Sequence, residues 1–190
     1  MYVHQRVEVD GNALRIIHVH NVGKPDEVYE FKSEAEACAR AAIINEAMTW
    51  IGTPFGDCAD IKGPKGLVDC AMFLTRVTVD TGVLPPFDPR PYNPREMLHG
   101  TRELFLEWVE DKLGGTYVSE PQVGDVLVYL WAKLFSHGAF LINKDEVIHA
   151  FGHARCVLVS RRDNALLKNV DLGVHGVWKR PVRGYDIWSK

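Results

Sequence analysis

Hydrophobic and polar residues alternate over residues 6–20, RVEVDGNALRIIHVH, on both sides of a turn that contains Gly11. A period of two around a glycine-containing turn is typical of two antiparallel strands. We therefore predict that the chain opens with a β-hairpin.

Three later stretches carry apolar residues at the spacing of one helix face, and each predicts a helix. The first opens with the capping-box sequence SEAE at Ser33 and should end by Gly52. The second should cover 69–81, with a glycine directly after it as an end signal. The third is TRELFLEWVEDKL at 101–113.

The pattern changes from helical to extended after Gly114 and Gly115. Short apolar runs then predict strands at 125–131, 138–142, 147–151, 156–160 and 174–178. Helices followed by a run of antiparallel strands are typical of the α+β class. We therefore predict N-terminal helices packed on an antiparallel sheet, with the hairpin added at the N-terminus.

The composition fits one globular domain without a disulfide scaffold. The 190 residues are 46% hydrophobic and 25% charged, and the four cysteines are few and scattered. A net charge of -3 argues against a nucleic-acid partner, which normally needs a basic face. The chain shows no run long enough for a membrane span and no signal-peptide pattern at its N-terminus. We expect a protein made in the cytoplasm without a signal peptide, with no membrane span and no cofactor.

Cys70 stands where a loop rich in glycine and lysine gives way to an apolar run, in KGLVDCAMFL. Asp69 is a good N-cap residue, so Cys70 should lie in the first turn of its helix. Backbone N–H groups and the helix dipole favour an anion there, which lowers the pKa of a thiol, and the same groups can receive an oxyanion. A small apolar cysteine also packs well at such a position. The position alone therefore allows either a nucleophile or a core residue.

A cysteine nucleophile needs a base, usually a histidine that a third polar group orients. His137 opens one predicted strand in SHGAFLI, and His149 lies inside the next strand in VIHA. If Asn143 and Lys144 form a two-residue turn, the two imidazoles fall on opposite faces of the sheet. A one-residue bulge would put them on the same face. The sequence leaves both registers open, and a histidine in an apolar strand can also be a plain core residue.

Other residues near these positions have weaker claims. Cys58, in the loop before Cys70, can be a resolving thiol, a metal ligand or simply a residue that packs the loop. With Cys70 and the two histidines it would suit tetrahedral zinc, but the short Cys-x-x-Cys spacing of many zinc sites is absent. We therefore predict no metal. His153 could line a cleft, although a surface turn also explains it.

Residues 85–96, PPFDPRPYNPRE, carry five prolines between Pro85 and Pro94, which predicts an irregular, extended course. Long loops in compact domains are often functional. Phe87 and Tyr92 could therefore wall a cleft or dock a partner, and a stiff connector explains the prolines equally well.

Taken together, these motifs resemble the NlpC-type (NlpC/p-sixty) cysteine peptidases of bacterial cell walls, over roughly residues 34–160. That family carries a helix ending in Gly-Thr-Pro-aromatic, then Asp-Cys, a Pro-x-x-Gly-Asp before a strand, a His opening the next strand, and Ile-His-Ala. Here the same order reads WIGTPF, VDCAMF, PQVGDVLVY, SHGAFLI and VIHA, at 50–55, 68–73, 121–129, 136–142 and 147–150. The sequence is most similar to the phage and tail-associated branch.

The resemblance implies a papain-like fold with Cys70 as the nucleophile, His137 as the general base and His149 as the residue that orients His137. It also implies hydrolysis of an amide in the peptidoglycan stem peptide, commonly between D-glutamate and a diamino acid. No metal or cofactor belongs to this chemistry.

Two positions depart from the family pattern. The family usually has tyrosine where this chain has Phe55, so we expect no phenolic hydroxyl near the site. Ala71 and Met72 replace the usual Ser-Gly pair after the cysteine, which could narrow the cleft or alter specificity.

We therefore predict a single papain-like peptidase domain over 1–190, divided into an N-terminal hairpin extension at 1–32, a catalytic core at 33–160 and a C-terminal strand and tail at 161–190. The predicted function is a cysteine endopeptidase or amidase, a hydrolase that cuts peptidoglycan stem peptides. Phage tail-tip proteins are the expected carrier, and the host periplasm or cell wall is the expected place of action. Two alternatives stay open: a catalytically silent structural part of a tail tip, and an acyltransferase with the same Cys-His-His site.

Overall fold

A computed structural model describes residues 5–19, 23–131, 133–164, 167, 169–171, 177–179 and 182–188 of the chain. Within these ranges the helices are α1 Glu34–Met48, α2 Cys70–Asp80, α3 Pro94–His99 and α4 Leu104–Asp111. The strands are β1 Gln5–Asp10, β2 Ala13–His18, β3 Glu27–Glu30, β4 Asp60–Ile61, β5 Leu67–Val68, β6 Thr116–Val118, β7 Val126–Trp131, β8 Leu134–Leu141, β9 Glu146–Phe151, β10 Cys156–Arg161, β11 Asn169–Asp171, β12 Val177–Lys179 and β13 Val182–Asp186.

The largest sheet is antiparallel and has six strands in the order β10-β9-β8-β7-β13-β6. A second sheet has the order β1-β2-β3, and the pairs β4-β5 and β11-β12 are short ribbons. The helices α1, α2 and α4 share one core with the six-stranded sheet. The chain is therefore an α+β protein with its helices packed on an antiparallel sheet, as predicted.

In the first two predicted helices, the side chain of the residue just before the helix caps its N-terminus. Ser33 Oγ accepts a hydrogen bond of 3.2 Å from the Glu36 N–H, and Asp69 Oδ1 accepts one of 2.8 Å from the Met72 N–H. Each cap satisfies a backbone donor that has no partner inside the helix. No helix in the described ranges is long and apolar enough to cross a membrane.

The proline-rich segment contains a short helix that we did not predict. Asn93 caps α3 by accepting a hydrogen bond of 3.0 Å from the Arg95 N–H, and Pro94 stands in the first turn. Proline fits there because its missing N–H would have no partner inside the helix. The irregular course predicted for this segment therefore holds only up to Asn93. The helix α4 is shorter than the predicted 101–113.

The predicted hairpin is confirmed, because β1 and β2 pair antiparallel with Asp10 opposite Ala13. The next four predicted strands correspond to β7, β8, β9 and β10. Residues 174–176 of the last predicted strand lie outside the described residues, and β12 begins at Val177. The sequence pattern did not predict β3, β4, β5, β6, β11 or β13, and β13 lies between β7 and β6 in the large sheet.

The two faces of the large sheet pack differently. One face joins the main core with the helices, through residues such as Val126, Val128 and Phe140. The opposite face carries a smaller apolar cluster of Leu127, Tyr129, Ala139, Leu141, Val147, Phe151 and Leu167. Because side chains alternate along a strand, His137 and His149 belong to this second face.

The three-stranded sheet packs on α1 and holds the turn between β8 and β9. Leu14 is buried in the main core. Glu27 Oε2 accepts a hydrogen bond of 2.9 Å from the Lys144 N–H, and Asn143 Nδ2 donates one of 3.1 Å to Gln5 Oε1. The N-terminal sheet thus supports the turn that joins the two histidine-bearing strands.

Candidate active site

Cys70 is the first residue of α2; part of the residue is exposed, whereas its thiol lies among densely packed atoms. Its Sγ lies 3.9 Å from the backbone oxygen of Ser136, the residue before His137. Cys70 and His137 also line the same cavity. The fold therefore brings the candidate nucleophile and the candidate base, which are far apart in sequence, to one place.

The surroundings of Cys70 raise the pKa of its thiol to about 12. Burial is the largest cause, and the negative charge of Asp69 adds to it. Backbone N–H groups of Gly138, Cys70 and Ala71 act in the opposite direction. The helix start thus favours the thiolate as expected, but burial outweighs it, and the prediction of a lowered thiol pKa is wrong.

The two histidines are neighbours. His137 Nε2 lies 2.7 Å from His149 Nδ1, within hydrogen-bond distance, and both residues are buried. The rings meet edge to face, with their centroids 5.0 Å apart. One nitrogen of His137 is therefore engaged with His149, which fixes the orientation of the His137 ring.

The length of the turn between β8 and β9 explains this contact. Ile142 donates its N–H to the Glu146 oxygen at 3.0 Å, so the turn has three residues, 143–145, and Phe140 lies opposite Ile148. This register is shifted by one residue from that of a two-residue turn, and a shift of one residue exchanges the faces. The two-residue turn is therefore wrong, and both imidazoles lie on the same face.

A β-bulge does lie beside the site, but in the pairing of β7 with β8. Tyr129 pairs with His137 whereas Leu130 pairs with Phe135, which leaves Ser136 as the extra residue. Bulges bend their strand and are frequent next to active sites. This one lies where β8 approaches the sulfur at the start of α2.

His149 has a second partner that the sequence analysis missed. Its Nε2 lies 2.9 Å from Oγ of Ser160, in β10, and both residues are buried. Burial, followed by the effect of His137, holds the pKa of His149 well below its ordinary value of 6.5. The ring is therefore neutral at neutral pH. A serine in an apolar strand was the available signal, but the sequence does not say which ring it meets.

A cavity of about 270 Å³ lies in front of these groups. Apart from the sulfur of Cys70 and the ring of His137, its wall is largely apolar, with Phe55, Met97, Trp131 and Phe151. Asp57 adds a carboxylate to the lining and is exposed. A concave, mainly apolar site with a few convergent polar groups is typical of a ligand-binding pocket.

The proline-rich segment contributes Tyr92 to this wall, as one of our interpretations expected. The Tyr92 hydroxyl donates a hydrogen bond of 2.6 Å to Asp69 Oδ2, and the Cys58 N–H donates one of 2.6 Å to the same oxygen. A phenolic hydroxyl is thus present at the site although Phe55 replaces the family's tyrosine. The expectation that it is missing is wrong, because a residue distant in sequence supplies it.

Cys58 packs its loop against the proline-rich segment. Its Sγ lies 3.5 Å from the backbone oxygen of Tyr92. Arg90 Nη1 donates a hydrogen bond of 3.1 Å to the backbone oxygen of Cys58. These contacts agree with the loop-packing interpretation. Across the described parts of the chain, no group of three or more His, Cys, Asp or Glu side chains is arranged to hold a metal ion.

The residues that replace the Ser-Gly pair point in different directions. Ala71 lines the cavity, whereas Met72 is buried in the main core and does not narrow the cleft directly. His153 lies in an exposed turn and also lines the cavity, with its ring centroid 5.1 Å from that of Trp131. Both interpretations of His153 therefore apply.

No protein-family model matches the chain, and no curated protein matches it. Among solved structures, it is similar to the NlpC/p60 domain of the peptidoglycan hydrolase SagA, with 24% identity over 64% of this chain and 88% of that one and a TM-score of 0.42. The peptidoglycan hydrolase RipB from Mycobacterium tuberculosis has 18% identity over 79% of this chain and 65% of that one, with a TM-score of 0.47. The P60 domain of an antigen from M. avium subspecies paratuberculosis has 15% identity over 80% and 97%, with a TM-score of 0.48.

Proposed function

We propose that this protein is a papain-like cysteine peptidase or amidase that hydrolyses an amide bond in peptidoglycan stem peptides. The observation that carries the proposal is the 2.7 Å contact of His149 with His137, which lines the same cavity as Cys70. A thiol, a histidine and a group that orients the histidine are the parts that nucleophilic amide hydrolysis needs. The motif resemblance to NlpC-type peptidases supplies the substrate class.

In this mechanism His137 is the general base. Its Nε2 is engaged with His149, so Nδ1 is the nitrogen that accepts the proton of the Cys70 thiol. The sulfur attacks the carbonyl carbon, and the carbonyl oxygen becomes an oxyanion. When this intermediate collapses, the C–N bond breaks, His137 gives its proton to the leaving amine, and a thioester is left on Cys70.

Water completes the cycle. It attacks the thioester carbonyl and gives one proton to His137 Nδ1. The C–S bond then breaks, the acid product leaves, and the proton returns from His137 to the sulfur of Cys70. Base and acid are thus the same ring in both halves of the reaction.

The start of α2 stabilises negative charge on the sulfur of Cys70. Backbone N–H groups of Cys70, Ala71 and Gly138 act on the sulfur, and donors at a helix start favour an anion. Because burial raises the pKa of the thiol to about 12, in our proposal the neutral thiol is the resting form of Cys70. Proton transfer to His137 therefore accompanies the attack of the sulfur on the substrate.

The same resemblance leads us to propose a phage tail or phage-like particle as the carrier. The motif set is most similar to the tail-associated branch of the family. In this proposal the enzyme meets the stem peptide in the host periplasm or cell wall, and tail-tip proteins are its partners.

The test is mass analysis of fragments released from purified peptidoglycans of several chemotypes. Wild type and Cys38→Ala should release stem-peptide fragments, because Cys38 is exposed on α1 and is not among the residues that line the cavity. Cys70→Ala should fold normally and release none. Wild type that releases nothing from any chemotype would overturn the hydrolase proposal in favour of a structural tail part. Transfer of the acyl group to an added amine without hydrolysis would identify an acyltransferase instead.

A further inference from the structure

The hydrogen bond between His149 and Ser160 extends the site by one residue. Ser160 lies in β10 opposite Val147, two residues along the strand from Leu158, which is opposite His149. Its Oγ is 2.9 Å from His149 Nε2. Neither residue is appreciably exposed, so water competes little for this contact. Cys70, His137, His149 and Ser160 thus follow one another from the cavity to the edge strand of the sheet.

The position of the single proton on the neutral His149 ring decides whether His137 can act as a base. In the first arrangement the proton is on His149 Nε2 and is donated to Ser160. His149 Nδ1 then accepts the N–H at His137 Nε2, and His137 Nδ1 carries a lone pair that can take the thiol proton.

In the second arrangement the proton is on His149 Nδ1 and is donated to His137 Nε2. The proton of the neutral His137 ring then lies on Nδ1, and that nitrogen cannot accept another. In the first arrangement the His137–His149 hydrogen bond keeps its direction when His137 takes up the thiol proton, since His149 Nδ1 is the acceptor before and after the transfer. Only the first arrangement is productive.

We propose that Ser160 is a positioning residue that makes the productive tautomer of His149 available by accepting its Nε2 proton. This inference rests on the proposed function of Cys70 and His137. A serine hydroxyl can accept or donate, so with Ser160 present His149 Nε2 has a partner in either arrangement. Buried backbone N–H groups without an acceptor are rarer in proteins than buried acceptors without a full set of donors, and when the hydroxyl is removed only the first arrangement leaves a buried N–H without an acceptor. Without the Ser160 hydroxyl, the ring would therefore favour the second arrangement, in which Nε2 carries no proton.

The test compares Ser160→Ala with Ser160→Thr, which keeps a hydroxyl, and with Thr78→Ala. Thr78 is a matched control because, among the described residues, its buried hydroxyl bonds to the backbone of its own helix and to no side chain. Two readouts are used: kcat and KM on an isolated stem peptide, and the ¹⁵N chemical shifts of the imidazoles, which report the tautomers. We expect Ser160→Ala to lower kcat roughly tenfold to a hundredfold, the range expected when a buried donor loses its partner, with KM little changed.

The same variant should move the proton of His149 from Nε2 to Nδ1 in the NMR spectrum, while Ser160→Thr and Thr78→Ala keep it on Nε2. An unchanged tautomer in Ser160→Ala would overturn the proposal, and so would an equal loss of kcat in Thr78→Ala. The NMR readout does not need catalysis. Suppose that the wild-type protein hydrolyses no stem peptide but that its His149 tautomer still changes in Ser160→Ala. This result would refute the proposed function, and the effect of Ser160 on the His149 tautomer would stand.

Discussion

The Tyr92 hydroxyl donates a hydrogen bond of 2.6 Å to Oδ2 of Asp69, the residue that caps the helix beginning at Cys70. The contact ties the proline-rich segment to the start of the helix that carries Cys70. Asp69 also accepts the N–H groups of Met72 and Cys58, so its buried carboxylate has three donors. A loop that is irregular by sequence is thus part of the site.

Removing this hydroxyl should destabilise the protein. Tyr92→Phe keeps the ring on the cavity wall but takes one donor from a buried carboxylate, which costs about 1–3 kcal/mol. Urea unfolding should show this loss in the free energy of unfolding. Tyr117→Phe is the control. Because Tyr117 is 60% exposed, this change should alter the free energy of unfolding by no more than about 0.5 kcal/mol. Equal effects of the two changes would contradict the role of the Tyr92 contact.

The two histidines should differ in their effect on turnover. His137→Ala should lower the rate of stem-peptide hydrolysis by about 10²–10⁴-fold, the contribution of general acid–base catalysis, because in the proposed mechanism His137 transfers the proton. His149→Ala should leave a residual rate, since in the proposed mechanism His149 orients the base and does not transfer the proton. The measurement is kcat with circular dichroism as a check of folding. His99→Ala, at an exposed position of α3, should keep the wild-type rate. A folded His137→Ala that is faster than His149→Ala would reverse the two roles.

Alkylation should show a slow, protonated thiol at Cys70. Because burial raises its pKa to about 12, Cys70 should react with iodoacetamide more slowly at neutral pH than the exposed Cys38. Its rate should still be rising at about pH 10, where an ordinary thiol has levelled off. Peptide mapping by mass spectrometry after short pulses at several pH values gives the rate of each cysteine. Fast modification of Cys70 at neutral pH, with a rate that no longer rises above pH 7, would show that the site holds a thiolate.

The free energy of unfolding should fall below about pH 6.5 because of His149. Its pKa is well below 6.5 in the folded protein and ordinary in the unfolded chain, so the unfolded chain binds the extra proton as the pH falls. Between pH 7.5 and pH 5.5 this costs on the order of 1 kcal/mol. Urea unfolding at the two pH values measures this loss of stability. The part due to His149 should be absent in His149→Gln and present in His99→Gln.

Asp125 has the opposite effect on the free energy of unfolding as the pH falls. Burial raises its pKa to about 6 in the folded protein, so the folded state takes up the proton first and is stabilised. It is present in wild type and in both variants, so the difference between their pH dependences isolates His149. Identical pH dependences in wild type and His149→Gln would show that the buried ring does not have a lowered pKa.

The sequence by itself determined the features that depend on neighbouring residues. The hairpin at β1-β2, the cap of Asp69 on α2 and the position of Cys70 in its first turn were all predicted, because turns and caps are made by residues a few positions apart. The apolar runs likewise located β7, β8, β9 and β10, since burial of one or both faces fixes their pattern.

Only the tertiary structure decided the chemistry of the site. The three-residue turn at 143–145 set the register that joins His137 to His149, and a register depends on how whole strands pack. Packing between distant segments likewise brought Tyr92 to Asp69 and Ser160 to His149. The raised pKa of the Cys70 thiol follows from the same cause, because burial by distant parts of the chain outweighs the local effect of the helix start.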